Sequence, residues 1–283
     1  GAWSAPTLLA ADAAIPLHPA GALRAQGDHV AWSQGDRVRV AGPGGSKPRS
    51  LPAASARMIA LADEPFWLRA GRLEGPGVSH PGAVATFAQP AAVRLPSGWL
   101  RAWRGTDFSV LAQPSGAEVR VIAPGHATKG QPMHGVALAS HGSRVAAAWL
   151  GDGSGVHLAW RDEGGPGWGE PVRVARRAVG HVQVVMDGSD AIVGWLVAAE
   201  GDALAWHLQR VGRTGLIGPP HEAVVVARGR DGGTPGLARV EAGLLLAWLA
   251  PGGSPSLRAG VMDAAVVGRG VALEPVEPEP WPG

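Results

Sequence analysis

This 283-residue chain contains neither cysteine nor tyrosine. Without cysteine the chain can form no disulfide, no thiolate metal site and no thiol nucleophile. Without tyrosine it has no phenolic nucleophile, and few of its groups titrate between histidine and arginine. The sequence pI of about 9.9 therefore reflects a small positive excess that persists to high pH, because the formal net charge is only +2.

Lysine and long apolar runs are also scarce. Only two of the 25 basic residues are lysines, Lys47 and Lys129, and the arginines are scattered along the chain. The one basic cluster is Arg173, Arg176 and Arg177, so the basic stripe typical of nucleic-acid-binding proteins is missing. No run of about 18 apolar residues occurs. We therefore expect neither a nucleic-acid partner nor a membrane span.

Glycine and proline are abundant, with 43 and 25 copies, and they follow no fixed triplet period. This pattern favours many tight turns over a collagen-like chain. The segment 131–177 predicts four short strands, because β-forming runs such as HGVALAS, RVAAAWL, GVHLAWRD and WGEPVRVA alternate with turn sequences. The rest of the chain resembles diverged copies of this unit.

The copies are clearest in their second strands. AAAWL, IVGWL and LLAWL place Trp149, Trp195 and Trp248 at intervals of 46 and 53 residues. The first half contains looser copies, in which AVATFAQ (83–89) is predicted as the third strand of the second unit. About six units of roughly 45 residues match the size of propeller blades. We predict an all-β fold, a single β-propeller over residues 1–283 with six four-stranded blades; five or seven blades and an up-and-down barrel are the alternatives.

The two ends of the chain predict how the ring closes. The N-terminal Trp3-x-x-Pro6 matches Trp168-x-x-Pro171, so residues 1–10 are predicted to be an outer strand that completes the last blade. Such closure removes an exposed sheet edge. The Pro-Glu tail, residues 275–283, is predicted to lie outside the regular sheets.

The turn sequence RDEGGPGW (161–168) carries a family resemblance. It resembles the Asp-box, S-x-D-x-G-x-x-W, of the sialidase-like (BNR-repeat) propellers: Gly165 and Trp168 match, Glu163 stands in place of Asp, and Arg161 in place of Ser. The resemblance implies a structural box and not a catalytic one. Sialidases use a tyrosine nucleophile, which this chain lacks, so the resemblance implies a non-catalytic member of the family. Arg104, Arg144 and Arg239 can be imagined as a carboxylate-holding triad, but solvated strand ends are the preferred interpretation.

Histidines recur where first strands begin. His134 and His181 open two of these strands, and His18 stands 14 residues before Trp32, as His181 does before Trp195. Neutral imidazoles converging on one face suit copper, zinc or nickel, and His126 and Met133 in the preceding loop can add ligands. The predicted metal ligands are therefore His134, His181, His18, His126 and Met133. The competing interpretation is that these histidines cap strand ends.

The functional prediction is a non-enzymatic propeller that binds a small ligand at its axial face, in its sharpest form a copper or zinc ion. The alternatives are a glycoside hydrolase that uses carboxylates, and a protein-binding scaffold. Trp99, Trp103 and Trp281 fit the repeat less regularly and can line a sugar or protein contact. Because the chain begins at Gly1 and not at Met, we expect an exported protein, periplasmic or secreted, whose leader has been removed.

Overall fold

The computed structural model describes residues 23–26, 29–34, 37–41, 49–52, 57–61, 65–69, 72–75, 78–80, 90–125, 135–165, 167–180, 182–200, 203–227, 236–250 and 256–268. Strands dominate these residues. Two short 3₁₀ turns accompany them, Asp152–Ser154 and Ala264–Val266. No described helix is long and apolar enough to span a membrane.

The described residues contain twenty-three strands, which form six sheets in chain order. The strands of the first three sheets are β1 (Leu23–Gln26), β2 (His29–Gln34), β3 (Arg37–Ala41), β4 (Arg49–Pro52), β5 (Arg57–Leu61), β6 (Pro65–Arg69), β7 (Arg72–Gly75), β8 (Val78–His80), β9 (Ala91–Leu95), β10 (Gly98–Arg104), β11 (Val110–Pro114) and β12 (Arg120–Ala123). Those of the last three are β13 (Val136–His141), β14 (Arg144–Leu150), β15 (Val156–Asp162), β16 (Val172–Ala175), β17 (Val182–Asp187), β18 (Asp190–Ala198), β19 (Ala203–Gly212), β20 (Gly215–Ala227), β21 (Gly236–Val240), β22 (Gly243–Ala250) and β23 (Ser256–Met262).

Each sheet is a meander in which consecutive strands pair antiparallel. The first five sheets have four strands, and the sixth has three among the described residues. The barrel alternative is wrong, because a closed barrel is one continuous sheet whereas the described strands divide into six separate sheets. The first strands β1, β5, β9, β13, β17 and β21 contact one another in chain order. The sheets therefore follow one another side by side, as the blades of a β-propeller do.

The second strands explain why the sheets stack. In β14 the side chains from Val145 to Leu150 are all buried, although a strand with one solvated face would alternate. Val145, Ala147 and Trp149 pack towards the third sheet. Ala146 and Ala148 pack on the other face, towards the fifth sheet. Small alanines thus let two neighbours approach the fourth sheet closely, and burial on both faces supplies the driving force for the arrangement.

A tryptophan occupies the second half of every described second strand. The six are Trp32, Trp67, Trp103, Trp149, Trp195 and Trp248. In the fourth and fifth sheets the tryptophan lies opposite a histidine of the third strand: the ring centres are 5.9 Å apart for Trp149 and His157, and 5.9 Å apart for Trp195 and His207. These two histidines therefore pack against tryptophan.

The second sheet differs from the sequence prediction. Its third and fourth strands are β7 and β8, so the sheet is complete by His80 and AVATFAQ (83–89) is not its third strand. Residues 83–89 lie outside the described residues. The predicted closing strand (1–10) and the tail (275–283) lie outside them as well.

Truncation of Leu158 tests the packing between sheets. Leu158 is fully buried in the cluster between the fourth and fifth sheets. We expect Leu158→Ala to lower the free energy of unfolding by about 2–5 kcal/mol, through lost burial and the cavity left behind. Chemical denaturation measures this difference. The control Val121→Ala, at a side chain that is 58% exposed, should change stability by less than about 0.5 kcal/mol; equal effects would contradict the stacked arrangement.

Candidate functional site

The site develops at one end of the fourth sheet, where β15 runs into the connector of residues 163–171. The connector begins with a turn in which the amide of Gly165 donates to the carbonyl of Asp162 over 3.0 Å. Gly164 has φ of 79°, the left-handed value that the third position of a type II turn requires. The amide of Gly169 then donates to the carbonyl of Trp160 over 2.8 Å, which folds the connector back on its own strand.

This folded connector encloses a cleft of about 450 Å³, here called the connector cleft. Its lining residues are Trp160, Arg161, Asp162, Gly165, Gly167, Trp168, Gly169, Glu170, Val172 and Arg213. All but Arg213 belong to the fourth sheet and its connector. Arg213 comes from the tight hairpin between β19 and β20 of the fifth sheet. The cleft therefore lies at the seam between two sheets.

Two tryptophans on the cleft wall are anchored in different cores. Trp168 packs against the cluster between the third and fourth sheets. Trp160 packs against the cluster between the fourth and fifth sheets. Both are only partly buried, so aromatic surface remains for a ligand. The indole Nε1 of Trp160 is buried without a hydrogen-bond partner among the described residues, although most buried polar groups in proteins are paired.

Asp162 is the electrostatic centre of the seam. Its Oδ1 lies 3.2 Å from Nε of Arg144, and its Oδ2 accepts a hydrogen bond from Nη2 of Arg213. Arg144 also donates to the carbonyl of Ser189 in the fifth sheet over 3.1 Å. Both carboxylate oxygens are thus occupied, and the group links the cleft rim to the neighbouring sheet.

Arg161 is in a different state. Its Nε is buried and has no hydrogen-bond partner among the described residues. Burial lowers the pKa of this guanidinium, the positive charge of Arg120 in the third sheet lowers it further, and Glu163 opposes both. The cleft therefore contains two arginines in different states. Arg213 is paired with Asp162, whereas the Nε of Arg161 has no hydrogen-bond partner among the described residues.

The three residues that resemble an Asp-box have clear positions. Oε1 of Glu163 accepts the amide of Ser97 over 2.9 Å, which ties the connector to the third sheet. Gly165 closes the turn, where an added Cβ would lie 2.9 Å from the carbonyl oxygen of Asp162. Trp168 packs against the hydrophobic cluster between the third and fourth sheets. Each contact stabilises the connector, and their designation as an Asp-box stays a prediction.

The predicted metal ligands cannot be compared with the structure. His134, His181, His18, His126 and Met133 all lie outside the described residues. Among the residues that are described, no group of three or more histidine, aspartate or glutamate side chains is arranged to hold a metal ion.

The imagined arginine triad does not assemble. Arg104 donates to the carbonyl of Leu150, the last residue of β14, whereas Arg144 is the first residue of that strand. A seven-residue strand separates its ends by about 20 Å. Arg104 is also buried, with its Nη1 2.6 Å from the carbonyl of Phe108, so the interpretation as a solvated strand end is wrong for this arginine.

A second ion-pair cluster lies at the same end of the fifth and sixth sheets. Asp187 accepts hydrogen bonds from Arg210 over 2.7 Å and from Arg239 of the sixth sheet over 2.9 Å. Arg210 also donates to the carbonyls of Val267 and Ala264, over 3.1 and 2.7 Å. Burial alone raises the pKa of the Asp187 carboxyl, but the hydrogen bonds and charges of the two arginines outweigh it and hold that pKa below its usual range.

Several cleft residues were absent from the sequence-based candidates, among them Trp160, Asp162, Glu170 and Arg213. Trp160 lies on the third strand of the unit, and Glu170 lies just beyond the box. Arg213 reaches the cleft from the fifth sheet, which begins after the connector in the sequence. The turn sequence Gly-Arg-Thr-Gly (212–215) predicts a hairpin but not which neighbouring sheet its arginine contacts.

The chain is a β-propeller protein by its fold. It is similar in structure to SapL1 lectin, solved in complex with alpha methyl fucoside, with a TM-score of 0.53 and 13% identity over 89% of this chain and 98% of the lectin. Weaker similarity exists to BBS1N, solved in complex with ARL6DN (TM-score 0.49, 13% identity, 87% and 76% of the two chains). The GH43 endo-arabinanase from Bacillus licheniformis has a TM-score of 0.40 and 12% identity, over 84% and 91%. No family model and no curated protein matches the sequence.

Substitution of Asp187 tests the charged seam. We expect Asp187→Asn to lower the free energy of unfolding by about 1.5–3 kcal/mol at pH 7, because charge-assisted hydrogen bonds are lost. A carboxyl whose folded pKa is depressed stabilises above its unfolded pKa of about 3.9 and loses this contribution as pH falls through the folded pKa. The difference between wild type and variant in urea denaturation should therefore shrink below about pH 4. The control is the exposed Glu241→Gln; a difference independent of pH would contradict this assignment.

Proposed function

We propose that this protein is a non-enzymatic binding propeller whose connector cleft takes a saccharide. The observation that carries the proposal is the joint presence of two part-exposed tryptophans, Trp160 and Trp168, with a charged rim formed by Glu170, Asp162 and Arg213. Sugar rings present apolar C–H faces and polar edges, so an aromatic wall beside hydrogen-bonding groups matches them. The sequence prediction placed the ligand at the axis, and this proposal places it at the seam between two sheets.

Binding is favoured over hydrolysis by the state of the carboxylates. A glycosidase needs one carboxyl that can give or take a proton and a second across the scissile bond. In the cleft, Asp162 has both oxygens engaged by arginines. Glu170 is then the remaining carboxyl of the lining. The carboxylate hydrolase and the protein-binding scaffold are therefore weaker alternatives, although propellers similar to this chain include a lectin, a GH43 endo-arabinanase and a protein complex partner.

The proposal includes a closed ring. We infer that the six described sheets are six blades and that residues 1–10 add the fourth strand beside β23. Two observations support this: the sixth sheet has three described strands, and the Trp3-x-x-Pro6 segment matches the segment that leads into β16. Membership of the sialidase-like family belongs to the same hypothesis, since it depends on one degenerate box.

The saccharide proposal is tested by filling the cleft. Gly167 lines it, and a Cβ added there meets open space, so Gly167→Phe should occlude the cleft while leaving the fold intact. A glycan array identifies binders, and calorimetry with methyl α-fucoside as the first soluble probe measures affinity. We expect binding to be lost in Gly167→Phe and weakened about tenfold in Trp168→Ala.

The matched control is Ala117→Phe, which adds the same side chain to an exposed turn of the third sheet. Circular dichroism checks that each variant keeps its strand content. Retention of binding in Gly167→Phe, or the absence of any glycan binder in the array, would contradict a saccharide site in this cleft.

A second candidate function is binding of copper or zinc at the axial face. Its support is positional: in the sequence His134 stands two residues before β13 and His181 directly before β17, and these two first strands contact one another. His18, His126 and Met133 complete the proposed ligand set, and the thioether would favour Cu(I) over zinc.

Metal content after loading tests this second candidate. Wild type is loaded with copper or zinc, desalted and analysed by mass spectrometry beside the double variant His134→Ala/His181→Ala. We expect near-stoichiometric metal in the wild type and loss in the double variant, because two imidazole ligands are removed. The variant His141→Ala, at an exposed turn, is the control. Equal retention in all three proteins would exclude the site.

A further inference from the structure

One nitrogen of a guanidinium group in the connector cleft lacks an acceptor. Arg161 lines the cleft, and its Nε is buried with no hydrogen-bond partner among the described residues. A buried charged donor without an acceptor loses its hydration and gains no hydrogen bond in return. This arrangement destabilises the unliganded protein, unless an acceptor from outside the chain enters the cleft.

None of the nearby carboxylates accepts a hydrogen bond from the Nε of Arg161. Asp162 uses one oxygen for Arg144 and the other for Arg213. Glu163 accepts the backbone amide of Ser97 through Oε1. Glu170, the other carboxylate of the lining, is exposed to solvent and forms no ion pair with Arg161 among the described residues. The described residues therefore place negative charge near Arg161 but give its Nε no hydrogen-bond partner.

A second positive charge approaches from the third sheet. Arg120 lies on β12 and is exposed, and it is close enough to Arg161 for their charges to repel. Two guanidinium groups from adjacent sheets thus lie near this wall of the cleft, and Glu163 partly offsets their charge at Arg161. Guanidinium groups bind oxyanions in a bidentate manner and remain charged at any physiological pH.

We propose that Arg161, assisted by Arg120, forms an oxyanion subsite on the wall of the connector cleft that faces the third sheet. Its ligand is a sulfate, phosphate or carboxylate group. The subsite deepens the proposed function and rests on it to this extent: the saccharide of the cleft would carry such a group as a substituent. Trp168, which packs towards the same seam, then lies beside the ring that bears the substituent.

The test uses small anions, so that it does not depend on the saccharide. Sodium sulfate, phosphate and acetate are titrated into the full chain at low ionic strength, with calorimetry and thermal unfolding as readouts. We expect saturable binding to the wild type, a rise of Tm with anion concentration, and at least tenfold weaker binding in Arg161→Gln. Arg161→Lys should recover only part of the affinity, because bidentate geometry is lost.

The matched control is Arg177→Gln, which removes the same charge from an exposed position outside the cleft. It should bind anions as the wild type does. Arg120→Gln should weaken binding by a smaller factor than Arg161→Gln. Equal affinities in Arg161→Gln and Arg177→Gln would overturn the subsite, and so would the absence of saturable binding to the wild type.

The outcomes separate the subsite from the saccharide proposal. Anion binding that depends on Arg161, in a protein that binds no glycan, would support the subsite and reject the saccharide. A neutral glycan that binds equally to wild type and Arg161→Gln, with no saturable anion binding, would reject the subsite alone. The relative affinities of sulfate, phosphate and acetate identify which substituent the ligand carries.

Discussion

Burial of both faces of the fourth and fifth sheets is the constraint on which the described part of this molecule depends. A strand such as β14, apolar on both sides, is stable only between two other sheets, and the alanines that make it apolar also make it thin. Each of these two sheets is therefore part of its neighbour's core, and the clusters at the seams contain residues from two sheets each. The apolar packing lies within the seams, and the ion pairs of Asp162 and Asp187 lie at one end of them.

At one end of the sheets, the seams are joined by charge as well as by packing. Asp162 connects the fourth and fifth sheets through Arg213, and Asp187 connects the fifth and sixth through Arg239. Glu163 reaches back to the third sheet. These bonds add modest free energy each, since most of the groups are partly exposed. Their larger effect is geometric, because they fix how far apart the connectors of adjacent sheets stand.

Much of the fold was predictable because tryptophans and turn sequences recur at regular positions in each repeat. The second strands that contain Trp149, Trp195 and Trp248 were identified by their apolar runs. The second sheet was harder to predict, since β7 and β8 are only RLEG and VSH, too short to show alternation. The longer apolar run AVATFAQ was therefore predicted as the third strand of this sheet instead.

The candidate site was predictable only in its backbone. Gly165 and Trp168 stand out as turn and anchor, but whether a cleft forms depends on Arg213, which comes from another sheet. A one-dimensional pattern gives the order of sheets and not the reach of a side chain across a seam. Burial of Arg104 was missed for the same reason, because its acceptor, the Leu150 carbonyl, belongs to a neighbouring sheet.

The unequal connectors of the fourth and fifth sheets bear on valency. In the fourth sheet, residues 163–171 connect the last two strands, whereas in the fifth sheet a tight turn connects Gly212 to Gly215. Although both sheets derive from one repeated unit, the fifth contributes a rim and not a second cleft of this form. One such cleft gains no avidity from a clustered ligand by itself, and several copies of it held together would bind a densely presented surface more tightly.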